Sequence, residues 1–146
     1  MIIKLVKLTV QTRQDNELVD VTSEVERVVA ESGVRDGLVY VMTSHTSSGI
    51  LVTEGLECLE RDVLAHLARL APDQGDYWHN RYLDIDGRLG FNAGAHLRGV
   101  ITGYFAYLPV AEGRLIKGGR QRVYFTEFDG PLSREYFVQV IGEGGE

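Results

Sequence analysis

Cysteine is nearly absent from this chain. Cys58 stands alone among 146 residues, so no intramolecular disulfide can form and the chain is not a disulfide scaffold. A lone thiol fits a reducing compartment. Positive charge is also short: 15 Lys and Arg against 21 Asp and Glu leave a net charge of −6. Such a chain lacks the basic surface that a nucleic acid demands, and an anionic membrane attracts it poorly. No stretch approaches the ~18 consecutive apolar residues of a transmembrane helix. The start, Met1 to Lys7, alternates apolar residues with lysine and lacks the continuous apolar core of a secretory signal. We therefore expect a cytoplasmic protein that binds neither nucleic acid nor membrane. Several motifs are missing too. There is no GxGxxG or phosphate loop, no GxSxG around Ser47 or Ser48, and no HxxxH or HxH pair. Rossmann, nucleotide-hydrolase, serine-hydrolase and local zinc signatures are thereby excluded.

What is present is ordinary globular material: 44% apolar and 25% charged residues, with no repeat, low-complexity tract or linker. The length predicts a single domain over 1–146. Residues 2–10 alternate and read as a strand with one wet face; Glu17 to Val21 reads as a second. Ser23-Glu24-Val25-Glu26 has the form of a capping box. Val25, Val28 and Val29 follow at helical spacing and Gly33 is a stop, predicting a helix over 23–32. Gly37 to Thr43 predicts a buried central strand. Five small or polar residues, 45–49, separate it from the apolar run Ile50 to Thr53. Leu56, Leu59, Val63, Leu64 and Leu67 predict a helix over roughly 55–70, closed before Pro72. Residues 72–95, with four glycines and many Asp and Asn, read as a long functional loop. Leu97 to Pro109, Val123 to Phe128 and Tyr136 to Ile141 read as strands. The order predicts an α+β domain with a largely antiparallel mixed sheet and two helices.

The residues that carry chemistry are few. His45 ends a buried strand beside three hydroxyls, while His79 and His96 bracket the loop. A metal needs convergent neutral imidazoles, and spacing alone gives no reason to bring these three together. His66 flanks the apolar stripe of the second helix and reads as solvated. Cys58, one residue off that stripe with no basic neighbour, reads as inert. Glu54 stands at a strand–helix junction, where a carboxylate suits the helix dipole or could orient His45. Asp62 carries the same two readings. Arg98, Arg114, Lys117, Arg120 and Arg122 form a basic run that could hold phosphate or shield a strand edge. Glu127 precedes the Asp129-Gly130-Pro131 turn and faces a site or an interface.

Taken together, several segments resemble one family. His45-Thr46-Ser47-Ser48-Gly49 with Thr53-Glu54, Arg61-Asp62, Pro72 through Tyr77-Trp78-His79, Ala95-His96-Leu97-Arg98, Gly113-Arg114-Leu115 with Gly118 and Gln121, and Glu127 to Pro131 fall in its order. This is the YjbQ-like family, an uncharacterised protein family, and the resemblance runs from about Gly37 to Gly142. It implies a small α+β fold and a homotrimer with sites near subunit interfaces. It also implies a secondary thiamine-phosphate synthase activity, joining a pyrimidine pyrophosphate to a thiazole phosphate with release of pyrophosphate. The resemblance places His45, His79 and His96 in one pocket, around a divalent metal such as zinc or directly against an anion. Glu54, Asp62 and Glu127 become catalytic candidates with His45. Arg98, Lys117, Arg120 and Gln121 become candidates for holding a phosphorylated small molecule. The alternative is a non-catalytic trimer that binds a metal or an anion. The chain departs from the family pattern at Thr53, Gly55, Gly94, Gly119, Arg120 and Leu132.

Overall fold

The computed structural model describes residues 1–81 and 91–145. In chain order the elements are β1 (Ile2–Gln11), β2 (Glu17–Asp20), α1 (Thr22–Ser32), β3 (Val34–Thr43), β4 (Ser48–Glu54) and α2 (Glu57–Leu70). Then come α3 (Trp78–Arg81), α4 (Ala93–Thr102), β5 (Phe105–Ala111), β6 (Arg114–Leu115), β7 (Gln121–Glu127) and β8 (Ser133–Gly144).

The helix α1 begins differently from the capping box that its sequence predicts. Val21 is the cap residue and makes no side-chain cap bond. The Asp20 carboxylate instead accepts from the Thr22 N–H at 2.9 Å and the Thr22 hydroxyl at 2.6 Å. An acid just outside the helix thus satisfies a first-turn donor. The other end follows expectation: Gly33 closes the helix in the left-handed region at φ 80°, where a side chain is strained. Val25, Val28 and Val29 are all buried, each contributing about 1.5–3 kcal/mol.

One sequence expectation fails outright. Leu97 to Pro109 is not a single strand, because Leu97 through Thr102 belong to α4. Leu97, Val100 and Ile101 recur at i, i+3 and i+4, and a short apolar run satisfies either period. The β alternation begins only at Phe105. The expected loop over 72–95 likewise contains α3 and the start of α4; residues 82–90 of it lie outside the described residues. Four helices therefore stand among the described residues where two were expected.

The strands form a five-stranded sheet in the order β1-β8-β3-β5-β6 and a three-stranded sheet in the order β2-β7-β4. Among the described residues every pairing is antiparallel. The main core lies between the two sheets and α1, where Val39, Val41, Val138 and Val140 meet Ile50, Val123 and Phe125. A smaller cluster of Leu67, Ala95 and Phe128 joins α2 to α4. Among the described residues no helix is long and apolar enough to cross a membrane.

The outer face of the larger sheet is unusual. An antiparallel sheet with one solvated face shows polar residues there. Here the register aligns Ile3, Ile141, Leu38 and Pro109 in one row, and Leu5, Gln139, Tyr40 and Tyr107 in the next. A third row holds Lys7, Phe137, Met42 and Phe105. Ile3, Leu5, Phe105 and Tyr107 are each more than half exposed.

Candidate functional site

The site begins with the turn between β3 and β4, residues 44–47. Its backbone is pinned from several sides. The Thr43 hydroxyl accepts from the His45 N–H at 3.2 Å, and the Ser48 hydroxyl donates to the His45 carbonyl at 2.8 Å. The Phe128 N–H donates to the Ser47 carbonyl at 3.2 Å. Arg134 reaches the Ser47 hydroxyl at 3.0 Å. A turn held this way presents the Thr46 carbonyl in a fixed direction.

Helix α4 lies directly on that turn because residue 99 is glycine. A Cβ there would come within 2.7 Å of the Ser48 carbonyl and 3.1 Å of the Thr46 carbonyl. The close approach lets His96 Nδ1 meet the Thr46 carbonyl at 3.1 Å. A carbonyl only accepts, so Nδ1 carries the proton and the lone pair of neutral His96 is on Nε2. The His79 ring, from α3, stands edge-on to His96 with centroids 5.1 Å apart. His79 Nε2 meets Asn92 Oδ1 at 2.8 Å, and Asn92 Nδ2 donates to Asp129 at 3.2 Å. The two imidazoles border a cavity of about 490 Å³ whose other walls include Tyr77, Trp78, Ala93 and Leu97. Arg81 stacks on Trp78 at 4.8 Å and pairs with Asp76, bracing that wall.

His45 does not join them. Its Nε2 accepts the Glu135 backbone N–H at 3.0 Å, so its lone pair is committed to β8. Burial, and then the positive charge of Arg134, holds its pKa below 6.5 and keeps the ring neutral for this bond. Among the described residues no three His, Cys, Asp or Glu side chains are arranged to hold a metal ion. One chain thus brings His79 and His96 together and turns His45 elsewhere.

The remaining candidates separate clearly. Glu127 is fully buried. It accepts from the Thr12 hydroxyl at 2.7 Å and the Phe128 and Asp129 N–H groups at 3.1 Å each. It also forms an ion pair with Arg134. Burial alone would raise its pKa, but these donors outweigh burial and lower it. Glu127 is therefore built into the framework beneath the 44–47 turn. Arg98 is 2% exposed and bonds the Ala71 carbonyl at 2.6 Å, the Asp73 carboxylate at 2.9 Å and the Phe128 carbonyl at 3.2 Å. Its guanidinium ties α2, α4 and the turn after β7 together.

Glu54 lies far from His45, contrary to the expectation that it orients that ring. The strand β4 runs unbroken from Ser48 to Glu54, and six steps at about 3.3 Å carry it some 20 Å away. There it pairs with Arg120 at 3.3 Å. Gln121 lies opposite Glu54 in the register and accepts the Gly118 N–H, with Lys117 beside them. Asp62 is exposed on α2, as are Cys58 and His66. The departure at Gly94 has a steric cause: a Cβ there would sit 2.7 Å from the Pro72 carbonyl and 3.0 Å from Arg98. Sequence reading missed Asn92 and the Thr46 carbonyl. A carbonyl leaves no sequence signal, and Asn92 was hidden in a segment read as loop.

The profile described as "UPF0047 protein YjbQ-like" matches residues 6–143. A UPF0047 protein of Archaeoglobus fulgidus is 38% identical over 92% of this chain and 99% of its own length. UPF0047 protein YugU of Bacillus subtilis is 30% identical over 92% of this chain and 97% of its own length. Among solved structures, a YbjQ-like protein of unknown function from Sulfolobus solfataricus P2 superposes with a TM-score of 0.90 at 30% identity. That match covers 97% of this chain and 98% of the other. With helices, antiparallel sheets and sequence all in agreement over nearly the whole length, the chain belongs to the YjbQ-like UPF0047 family.

Proposed function

We propose that this protein is a homotrimer whose histidine cavity binds a small phosphorylated molecule together with a divalent metal. The observation that carries this reading is the orientation of His96. A metal-ligating imidazole nearly always donates its other N–H to a carbonyl, carboxylate or water. His96 does so to Thr46, and His79 does so through Asn92. His96 therefore fits a metal through Nε2, with His79 beside it as the neighbouring imidazole, and His45, with its Nε2 engaged by Glu135, does not. Other positions on the ion would fall to water, substrate or a second copy of the chain. A bound divalent ion would supply charge to neutralise phosphate oxygens. The chain's own residues orient that site, and Tyr77, Trp78 and Leu97 wall it.

The oligomer reading rests on the apolar outer sheet face, which a second and third copy would cover. Assembly also offers the route by which Lys117, Arg120 and Gln121 could serve the cavity, since within one chain they lie about 20 Å from the histidine end of β4. The transfer reaction to try first is of the thiamine-phosphate synthase type, with pyrophosphate released. A second reading, a trimer that binds without catalysis, is favoured by Glu127: the buried acid is saturated by donors and is placed under the turn.

The first test is metal content per chain by plasma mass spectrometry on protein purified without tag or chelator. Wild type is expected near stoichiometric, and His96→Ala to lose most of the metal while remaining folded. Metal-free wild type sinks the metal reading and leaves direct anion binding. Pyrophosphate release by the metal-loaded protein supports the transferase. Metal retention without turnover across a phosphorylated-metabolite panel supports the binding protein.

The oligomer has its own test. Light scattering should give three times the chain mass of 16.3 kDa, and Tyr107→Glu, which places a charge mid-face, should give a folded monomer. A monomeric wild type overturns the assembly.

A further inference from the structure

We infer that His45 is a proton-sensitive latch: its neutral ring ties the turn that carries Thr46 to the start of β8, and protonation of the ring releases that tie. The latch needs no ligand; its effect on the cavity rests on the reading that the cavity is the working site. The bond concerned runs from the Glu135 backbone N–H to His45 Nε2, 3.0 Å away. A backbone N–H only donates, so Nε2 keeps a bare lone pair and the proton of the neutral ring is on Nδ1. An imidazolium carries N–H on both nitrogens. Protonation therefore turns this acceptor into a donor that faces another donor, and the bond is lost.

His96 makes the contrast. It holds the other side of the same turn through Nδ1, 3.1 Å from the Thr46 carbonyl. Nδ1–H is present in the neutral ring and in the charged one, so that bond outlasts protonation. Of the two imidazoles on the turn, only His45 converts a proton into a broken contact. The turn's other ties are hydroxyls, backbone groups and the always-charged Arg134. Among the described residues, the charges that act on the His45 ring come from two strands. Arg134 of β8 disfavours the imidazolium, whereas Glu135 of β8 and Glu127 of β7 favour it. Glu127 is paired with Arg134, and Glu135 leans toward Lys7 of β1 at 3.9 Å. Burial is the largest influence and, with Arg134, holds the ring below 6.5. The unfolded chain thus takes up this proton first. The tie's contribution fades as pH falls below 6.5 and is gone once pH has passed the folded value. The latch is closed at neutral pH and acid opens it.

An NMR titration between about pH 5 and pH 8 reads the latch. Glu127, lowered from 4.5, stays charged across that range. In wild type the backbone amide resonances of Glu135 should move with the same midpoint as the His45 ring, and that midpoint should lie below 6.5. His45→Gln offers an amide oxygen that accepts at every pH, and should leave the Glu135 amide flat. His45→Ala should hold it flat at the acid end of the wild-type curve, and decides the matter if the glutamine variant fails to fold. A Glu135 amide that stays put while His45 titrates would overturn the latch. So would equal movement in the glutamine variant. The consequence for the cavity is read with zinc alone. Between about pH 7.5 and pH 5.5 wild type should lose about three- to tenfold more zinc affinity than His45→Gln, the span of one neutral hydrogen bond. Equal losses in the two proteins would overturn the effect on the cavity. The two claims part cleanly: zinc bound while the Glu135 amide ignores pH sinks the latch alone, whereas a titrating latch in a protein that takes no metal sinks the metal reading alone.

Discussion

Glu127→Ala is expected to destabilise the protein by about 3–5 kcal/mol, because it leaves the partner charge of a buried pair uncompensated. For a chain of this size that is a fall in Tm on the order of 10 °C. Arg134 is only 5% exposed, and without Glu127 its guanidinium would have little beyond Ser47 to bond. The Thr12 hydroxyl and the Phe128 and Asp129 N–H groups would lose an acceptor as well. Replacing Glu127 and Arg134 together by leucine removes both charges and should cost less than either single change. The pH dependence carries a sign. The folded pKa is lowered from 4.5, so the unfolded state binds more protons in the window below that value. The contribution is complete above about 4.5 and is lost as pH falls through the folded value. Wild type should therefore lose Tm on acidification below about 4.5 more steeply than Glu127→Ala. Thermal melts of both proteins between about pH 3 and pH 7 check this. A variant within 2–3 °C of wild type at neutral pH would count against the framework role. Because Arg134 also holds Ser47, the same variant should loosen the Thr46 carbonyl and reduce ligand affinity at the cavity.

The parts legible in the sequence were those with a strong local period. The valines of α1 repeat in one unambiguous rhythm and burial follows it; the run from Gly37, read as wholly buried, instead alternates, with Val39 and Val41 inside and Leu38 40% exposed, and the stripe of α2 goes from the exposed Leu56 to the buried Leu67. Leu97 to Thr102 did not declare itself, since three apolar residues fit a helix or a strand and only tertiary packing decides. What lies between the two ends of a strand was also lost. Glu54 and His45 are nine positions apart in the chain, and an intervening turn would have let them meet. Instead the β4 ladder with β7 holds the strand straight from Ser48 onward. The histidines show the limit most plainly. His96 reaches the Thr46 carbonyl because Gly99 admits the Thr46–Ser48 backbone, a contact between segments about fifty residues apart. His45 diverges because one backbone N–H on β8 claims its lone pair. Neither fact has a signature in residue type or spacing.

Arg98 is the position where the sequence and the structure give opposite forecasts, and one variant decides between them. A phosphate-binding arginine needs solvent access and open donors. Arg98 is 2% exposed, packs against the Phe128 ring at 5.6 Å and spends its Nη groups on two backbone carbonyls and Asp73. Arg98→Met keeps much of the side-chain volume and removes every donor. The Ala71 and Phe128 carbonyls are then left buried without a partner, at about 1–3 kcal/mol each. The expected loss is roughly 4 kcal/mol, again on the order of 10 °C in Tm. Arg98→Lys can serve one carbonyl at a time and should fall between the two. Asp73→Ala removes only an exposed partner and should cost under about 1 kcal/mol. Thermal melts order the series. A phosphate-binding role predicts the reverse: a Tm near wild type for Arg98→Met, with inorganic phosphate no longer raising it. A large loss of Tm, with whatever phosphate-dependent rise wild type shows retained in the variant, makes Arg98 the clamp that fixes α4, and so His96, against the turn.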